Sequence, residues 1–294
     1  MQGLGADRAQ VVPGAAGRPR RRGEERVAEI CDFTLRGFRP VAAALVVTLF
    51  GVTLSFAADL TADQVREMLA KADPATRIDF TGRDLSDLEL SRLDFKRADL
   101  SGANLFAARL VSSNLQGAKL ARANLNGAWL MGTNFAGADL SGSSMLGLVV
   151  LGGDVKEKPS FARANLSGVR MIADLPGADL QGVDLSYAKL GVDIRNQGMG
   201  QMRTDLSGAN LAGANLRNAD LNRSLMAFAN LRGADLRGVN FFRVKLSGAD
   251  LTGADIAGAD FTEADLDGTV LKGVKGLDAA KGMDKATNRD RAVR

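Results

Sequence analysis

The chain is 294 residues long and carries 38 Lys and Arg against 34 Asp and Glu, a formal net charge of +4. The excess is uneven: residues 1–58 hold eight Arg and five acids, while the other 236 residues hold 30 basic and 29 acidic side chains. There is no His and one Cys, Cys31, which excludes His-based triads, His and thiolate metal sites, Cys nucleophiles and disulfides.

Residues 1–35 are rich in Gly, Ala and Arg without periodicity and read as a disordered or over-extended leader. Residues 36–57 read as a signal peptide. Arg36 and Arg39 give the positive flank, Val41–Phe56 is an uncharged apolar run, and Ser55 and Ala57 are small residues at a cleavage site's −3 and −1 positions. The 16-residue run is short of the roughly 20 residues of a membrane-spanning helix. The expectation is a periplasmic or secreted chain cleaved near Ala57, touching membrane only through this segment; an uncleaved anchor is the competing reading. Cys31 precedes the apolar run and is not a lipidation site.

Residues 58–76 are expected to form an N-terminal capping helix. Thr61 and Gln64 have capping-box spacing, Val65, Met68 and Leu69 share a helical face, and Pro74 ends the helix.

Residues 77–275 have a period of five. From Phe80 to Val150 an apolar residue recurs at every fifth position, as in Leu100, Leu105, Leu110 and Leu115, and the frame resumes from Leu206 to Leu271. Two residues earlier stands a small side chain, usually Ala; one earlier often Asp or Asn; two later often Gly. Five fits neither a 3.6-residue helix nor a two-residue strand. It demands a backbone that turns a corner every five residues, pointing each central Leu or Phe at one axis. Asp or Asn beside a corner can bond its own backbone as an Asx-turn, and Gly relieves the corner.

Tandem A-[DN]-L-x-x over residues 78–273 resembles the pentapeptide repeat family. The resemblance implies an all-β solenoid: a right-handed quadrilateral β-helix with four pentapeptides in each 20-residue coil. Nine or ten coils at the ~4.8 Å strand spacing would make a rod of about 45 Å. Residues 276–294 break the frame and are expected to be a C-terminal cap, with Leu277 and Met283 covering the last coil and residues 284–294 frayed.

Two interruptions, 151–161 and 192–203, leave the frame. If Val155 fills a side, they project from one corner about 10 Å apart by the strand spacing. Loops on a rigid scaffold are where binding concentrates, so Lys156, Lys158, Arg195, Asn196 and Gln197 are the candidate partner-binding residues, with Met199 and Met202 packed beneath. Neutral insertion is the competing reading.

No catalytic residue, cofactor or metal is expected. The frame aspartates are turn formers, and Met171, Met199 and Met202 are better read as filler than as a soft copper site. Arg217, Arg223, Arg232, Arg237, Arg243 and Lys245 form a mild basic stripe, followed by Asp255, Asp260, Glu263, Asp265 and Asp267. The reading is a non-enzymatic exported rod, an interaction or structural module of the cell envelope. Its partner would be an unidentified envelope protein or polar ligand, and a coil end could take a second copy. The alternative is similarity to cytoplasmic pentapeptide repeat proteins that mimic DNA and inhibit type II topoisomerases. That role needs a strongly negative surface, which a near-neutral mature chain opposes, so no nucleic-acid partner is expected.

Overall fold

The structure is a computed structural model that describes residues 58–73, 76–150, 157–192 and 203–294. The leader 1–35, the apolar segment 36–57 and Pro74 lie outside the described residues.

The five-residue frame appears as a ladder of parallel bridges. Asp79 bridges Asp99, Asp84 bridges Asn104, Glu89 bridges Arg109 and Asp94 bridges Asn114, each pair 20 residues apart. Twenty residues therefore close one coil of four sides. We name the four faces by these first residues: Asp79, Asp84, Glu89 and Asp94. On the Asp79 face the ladder climbs unbroken through ten levels to Lys275, about 43 Å at the strand spacing. Each side gives one bridged residue before the chain turns, so longer strands are few: β1 (Ser144–Leu146) and β2 (Arg170–Ile172), paired in parallel.

One repeat explains the residue types. Ala103 N–H donates to Leu100 C=O across the corner at 3.0 Å, and Asn104 N–H to Arg83 C=O one coil below at 2.9 Å. Leu105 and Ala107 N–H donate to Asn124 and Asn126 C=O one coil above, at 2.7 and 2.9 Å. Phe106 N–H, the remaining donor, goes to Asn104 Oδ1 at 3.3 Å. Asp or Asn thus supplies the fifth acceptor that the backbone lacks. Asparagines also join coils through side chains, as in Asn124 Nδ2 to Asn104 Oδ1 at 2.9 Å.

The central Leu, Phe and Met residues and the Ala two before them are buried in one continuous core. Where Ser or Thr replaces that Ala, its hydroxyl usually donates to a core-lining carbonyl: Ser113 to Leu90 and Thr133 to Leu110, both at 2.7 Å. Ser143 is the exception, its Oγ buried without a partner.

Helix α1 spans Ala62–Lys71 with the expected capping box: Thr61 Oγ1 accepts from Gln64 N–H at 3.2 Å, and Gln64 Oε1 accepts from Thr61 N–H at 2.7 Å. Val65 is buried in the core that holds Phe80, Leu85 and Leu90, and Leu69 packs against it. Met68, expected on the same face, is instead exposed.

The C-terminal segment does not fray. Lys275, Lys281, Thr287 and Val293 bridge Asp255, Asp260, Asp265 and Val270, adding a last coil whose sides are six residues long. Short 3-10 turns at Leu277–Ala279 and Arg289–Arg291 take up the extra residue. Gly276 and Gly282 sit at its corners with φ of 72° and 67°. A Cβ there would stand 2.6 Å from Ala257 Cβ and 2.2 Å from Thr262 Oγ1. Met283 is buried and Arg291 Nε meets Asp267 Oδ1 at 3.0 Å.

Candidate interaction surface around the two interruptions

The bridges fix which corners the interruptions leave. Val149 pairs with Trp129 on the Glu89 face, and Ser160 pairs with Asn134 on the Asp94 face. The chain therefore advances one side, and not two, between Val149 and Ser160; Val155 itself lies outside the described residues. Across this interruption the register lengthens from 20 residues to 26, as in Asn165 Nδ2 to Asp139 Oδ1. The second departs after Lys189 on the Asp84 face and returns at Asp205 on the Glu89 face, giving a register of 31 residues, as in Asn215 Nδ2 to Asp184 Oδ1. The expectation of one shared corner is thus corrected. The interruptions bracket the two edges of the Glu89 face, because seven sides separate them instead of eight.

Of the candidate contacts, Lys156, Arg195, Asn196 and Gln197 lie outside the described residues, as do Met199 and Met202. Lys158 is described: it is exposed, and its Nζ donates to the Pro176 carbonyl at the corner between the Glu89 and Asp94 faces. Its ammonium is drawn onto the neighbouring turn. Met171 is fully buried in β2 as core.

Between the edges, the Glu89 face carries a vertical series. Arg109 Nε meets Glu89 Oε2 at 3.1 Å, and its guanidinium carbon lies 4.2 Å from the centre of the Trp129 ring one level up. Trp129 is therefore outward but covered by a cation–π contact, whereas Tyr187 is exposed.

A shallow groove of about 960 Å³ lies on the adjoining Asp84 face, where the second interruption departs. Ile172, Tyr187, Val192 and Phe242 give its apolar walls, and Lys189 and Asp220 are among its polar lining. Sequence reasoning did not find it. The available signal was the four-residue unit Val169–Ile172, which shortens one side.

The basic stripe and the acidic run after it interlock. Arg232 Nη1 meets Asp250 Oδ2 at 3.0 Å, Arg243 Nε meets Glu263 Oε2 at 2.6 Å, and Lys245 Nζ meets Asp265 Oδ2 at 3.3 Å. Arg237 Nε donates to Asp235 Oδ1 at 2.8 Å and lies 3.7 Å from Asp255 Oδ2, and Arg217 approaches Asp235 at 4.0 Å. Residues some 20 apart in sequence are one coil apart in space. The Arg237 guanidinium holds the Asp235 carboxyl below the usual carboxylate range. Partial burial pushes Asp250 and Asp265 up, but bonds from Thr252 and Arg232, and from Asn288 and Lys245, leave both lowered.

A family model for pentapeptide repeats matches eight copies, at residues 76–110, 108–145, 204–241 and 236–273. Across these stretches the chain matches the pentapeptide repeat family. Solved pentapeptide repeat proteins resemble it. HetL, involved in heterocyst differentiation regulation in the cyanobacterium Nostoc, is 27% identical, with 80% of this chain and 100% of that one covered and a TM-score of 0.31. A pentapeptide repeat protein of the Arabidopsis thaliana thylakoid lumen is 26% identical over 40% of this chain and 76% of its own, with a TM-score of 0.22. QnrB1, a plasmid-mediated fluoroquinolone resistance protein, is 16% identical over 68% of this chain and 92% of its own, with a TM-score of 0.27. No curated protein matches the sequence significantly.

Proposed function

We propose that this pentapeptide repeat protein is a non-enzymatic, exported rod: a right-handed quadrilateral β-helix closed at its first coil by α1 and serving the cell envelope as a protein-interaction or structural module. The observation that carries the non-enzymatic reading is the state of its carboxylates. A general acid or base works best with a pKa near the operating pH. Among the described residues, every carboxylate shifted from its ordinary value is lowered: Asp79, Glu89, Asp99, Asp235, Asp250 and Asp265. Each accepts a hydrogen bond from the amide two residues on. Their chemistry is spent on the frame.

Export rests on Val41–Phe56 with its flanking arginines and its Ser55 and Ala57. The contact surface is the Glu89 face with its two edges, where Lys156, Lys158, Arg195, Asn196 and Gln197 would meet an envelope protein or a polar ligand. The last coil leaves Val293 exposed, a place for a second copy to extend the stack. The alternative of a cytoplasmic DNA mimic needs rows of uncompensated carboxylates, and the pairing of Arg232, Arg237, Arg243 and Lys245 with acids weighs against it.

Cross-linking in the envelope fraction followed by recovery of the protein tests the reading, together with N-terminal sequencing of the recovered chain. The expected start is Ala58 or Asp59, with one partner enriched. A cytoplasmic chain that still carries residues 1–57 would overturn export.

A further inference from the structure

The corner between the Asp84 and Glu89 faces departs from the pairing seen elsewhere on this surface. It carries Arg203, Arg223, Arg243 and Glu263, each 20 residues from the next and so stacked at successive levels ~4.8 Å apart. The four side chains line, with Lys245, a cavity of about 380 Å³. Four cations face one carboxylate. Glu263 is taken by Arg243 and Asp265 by Lys245. Arg203 and Arg223 have no carboxylate within ion-pair distance among the described residues, and the Nε of Arg223 is buried without an acceptor.

A buried charged donor left unmade is costly, and like charges one level apart repel. An anion between the guanidinium groups relieves that repulsion and gives their exposed N–H groups an acceptor. The planar forks of arginine suit a tetrahedral oxyanion, which takes two parallel hydrogen bonds from each. We propose that this corner is a binding site for a dianionic oxyanion group, phosphate or sulfate, held by Arg203 and Arg223 with Arg243 above. The basic track spans only three levels before Glu263 and Asp265 end it, which fits a small group and not a nucleic-acid backbone. The site lies on one edge of the proposed contact face, but its ligand and its test do not depend on the envelope-partner reading.

Inorganic phosphate titrated calorimetrically into the full chain, with ionic strength held constant by NaCl, tests this. One saturable site is expected. Arg203→Gln and Arg223→Gln should each weaken it about tenfold or more, the value of one charged hydrogen bond. Glu263→Gln should tighten it by freeing Arg243, and it serves as the reading if an arginine variant fails to fold. Arg232→Gln, on the opposite corner and paired with Asp250, should leave affinity unchanged. Methyl phosphate separates the sources: binding equal to inorganic phosphate assigns the site to a phosphoryl group on a larger molecule, and binding of inorganic phosphate alone assigns it to the free ion. No saturable binding above chloride, or affinity indifferent to Arg203, Arg223 and Glu263, overturns the proposal.

Discussion

The rings of Phe135 and Phe161 lie parallel, their centroids 5.1 Å apart, although the first interruption stands between them in sequence. Ser160, just before Phe161, bridges Asn134, just before Phe135. The core closes across the interruption without help from it. Removing residues 151–156 would place Ser160 five positions after Val149 and restore the 20-residue register; removing 192–202 does the same between Lys189 and Asp205. Both deletions together should leave thermal unfolding nearly unchanged, whereas Phe161→Ala should cost about 3–5 kcal/mol. The same double deletion should abolish partner capture from the envelope. Capture that survives it would move the binding surface to the flat faces.

Leu125 is fully buried at the axis, and Leu125→Asp should cost several kcal/mol by leaving a charge unpaired there. The proper control is Gln116→Glu, an exposed change expected within about 0.5 kcal/mol. Asn126 is a poorer control, because its Oδ1 accepts from Ser144 Oγ at 2.8 Å and Leu146 N–H at 2.9 Å. Equal denaturation midpoints for Leu125→Asp and Gln116→Glu would refute the inward assignment.

Ser143 occupies an inward position that is usually Ala, with its hydroxyl unpartnered. Ser143→Ala should raise stability by about 1 kcal/mol, since an unmet buried hydroxyl costs roughly that or more. Thr133→Ala should move the other way, because the bond from Thr133 to the Leu110 carbonyl is lost. Chemical denaturation of the two variants should therefore diverge in sign.

Acid should destabilise the stack. Asp235, Asp250 and Asp265 have folded pKa values below their ordinary ones, near 3.9 for a free Asp. The unfolded chain then binds more protons in acid, so the contribution is fully present above about pH 4 and is lost as pH falls through the lowered values. Melting temperature should be flat from neutral pH down to about 5 and fall below 4. In Asp235→Asn the acid fall should be shallower; an unchanged slope would mean that the Arg237–Asp235 pair contributes nothing to it.

The repeat was legible because every one of its constraints is local. A Leu at the axis, a small residue before it and an Asx acceptor at the corner recur within five residues, and the bridges only stack them. The position of the interruptions was not, since it depended on whether one apolar residue, Val155, took a side. The C-terminal coil was legible but hidden by a change of period: Lys275–Ala280, Lys281–Ala286 and Thr287–Ala292 each run six residues with Gly or Asn second, Asp fourth and Ala last. The open corner at Arg223 could not be read, because its neighbours Arg203 and Arg243 sit a full coil away along the chain. So do the acids that neutralise the rest of the stripe.

Each interruption changes the number of residues at a corner, while the ladders of the Asp79 and Asp84 faces run past both without a gap. Position on this molecule is consequently an address with two coordinates, the corner and the level. A segment inserted at any address leaves and rejoins the frame at a fixed corner and level whatever its length, because the frame counts sides and not residues. Display and stability are thereby decoupled: a lineage can lengthen, shorten or rewrite what projects at one address without repacking a single leucine.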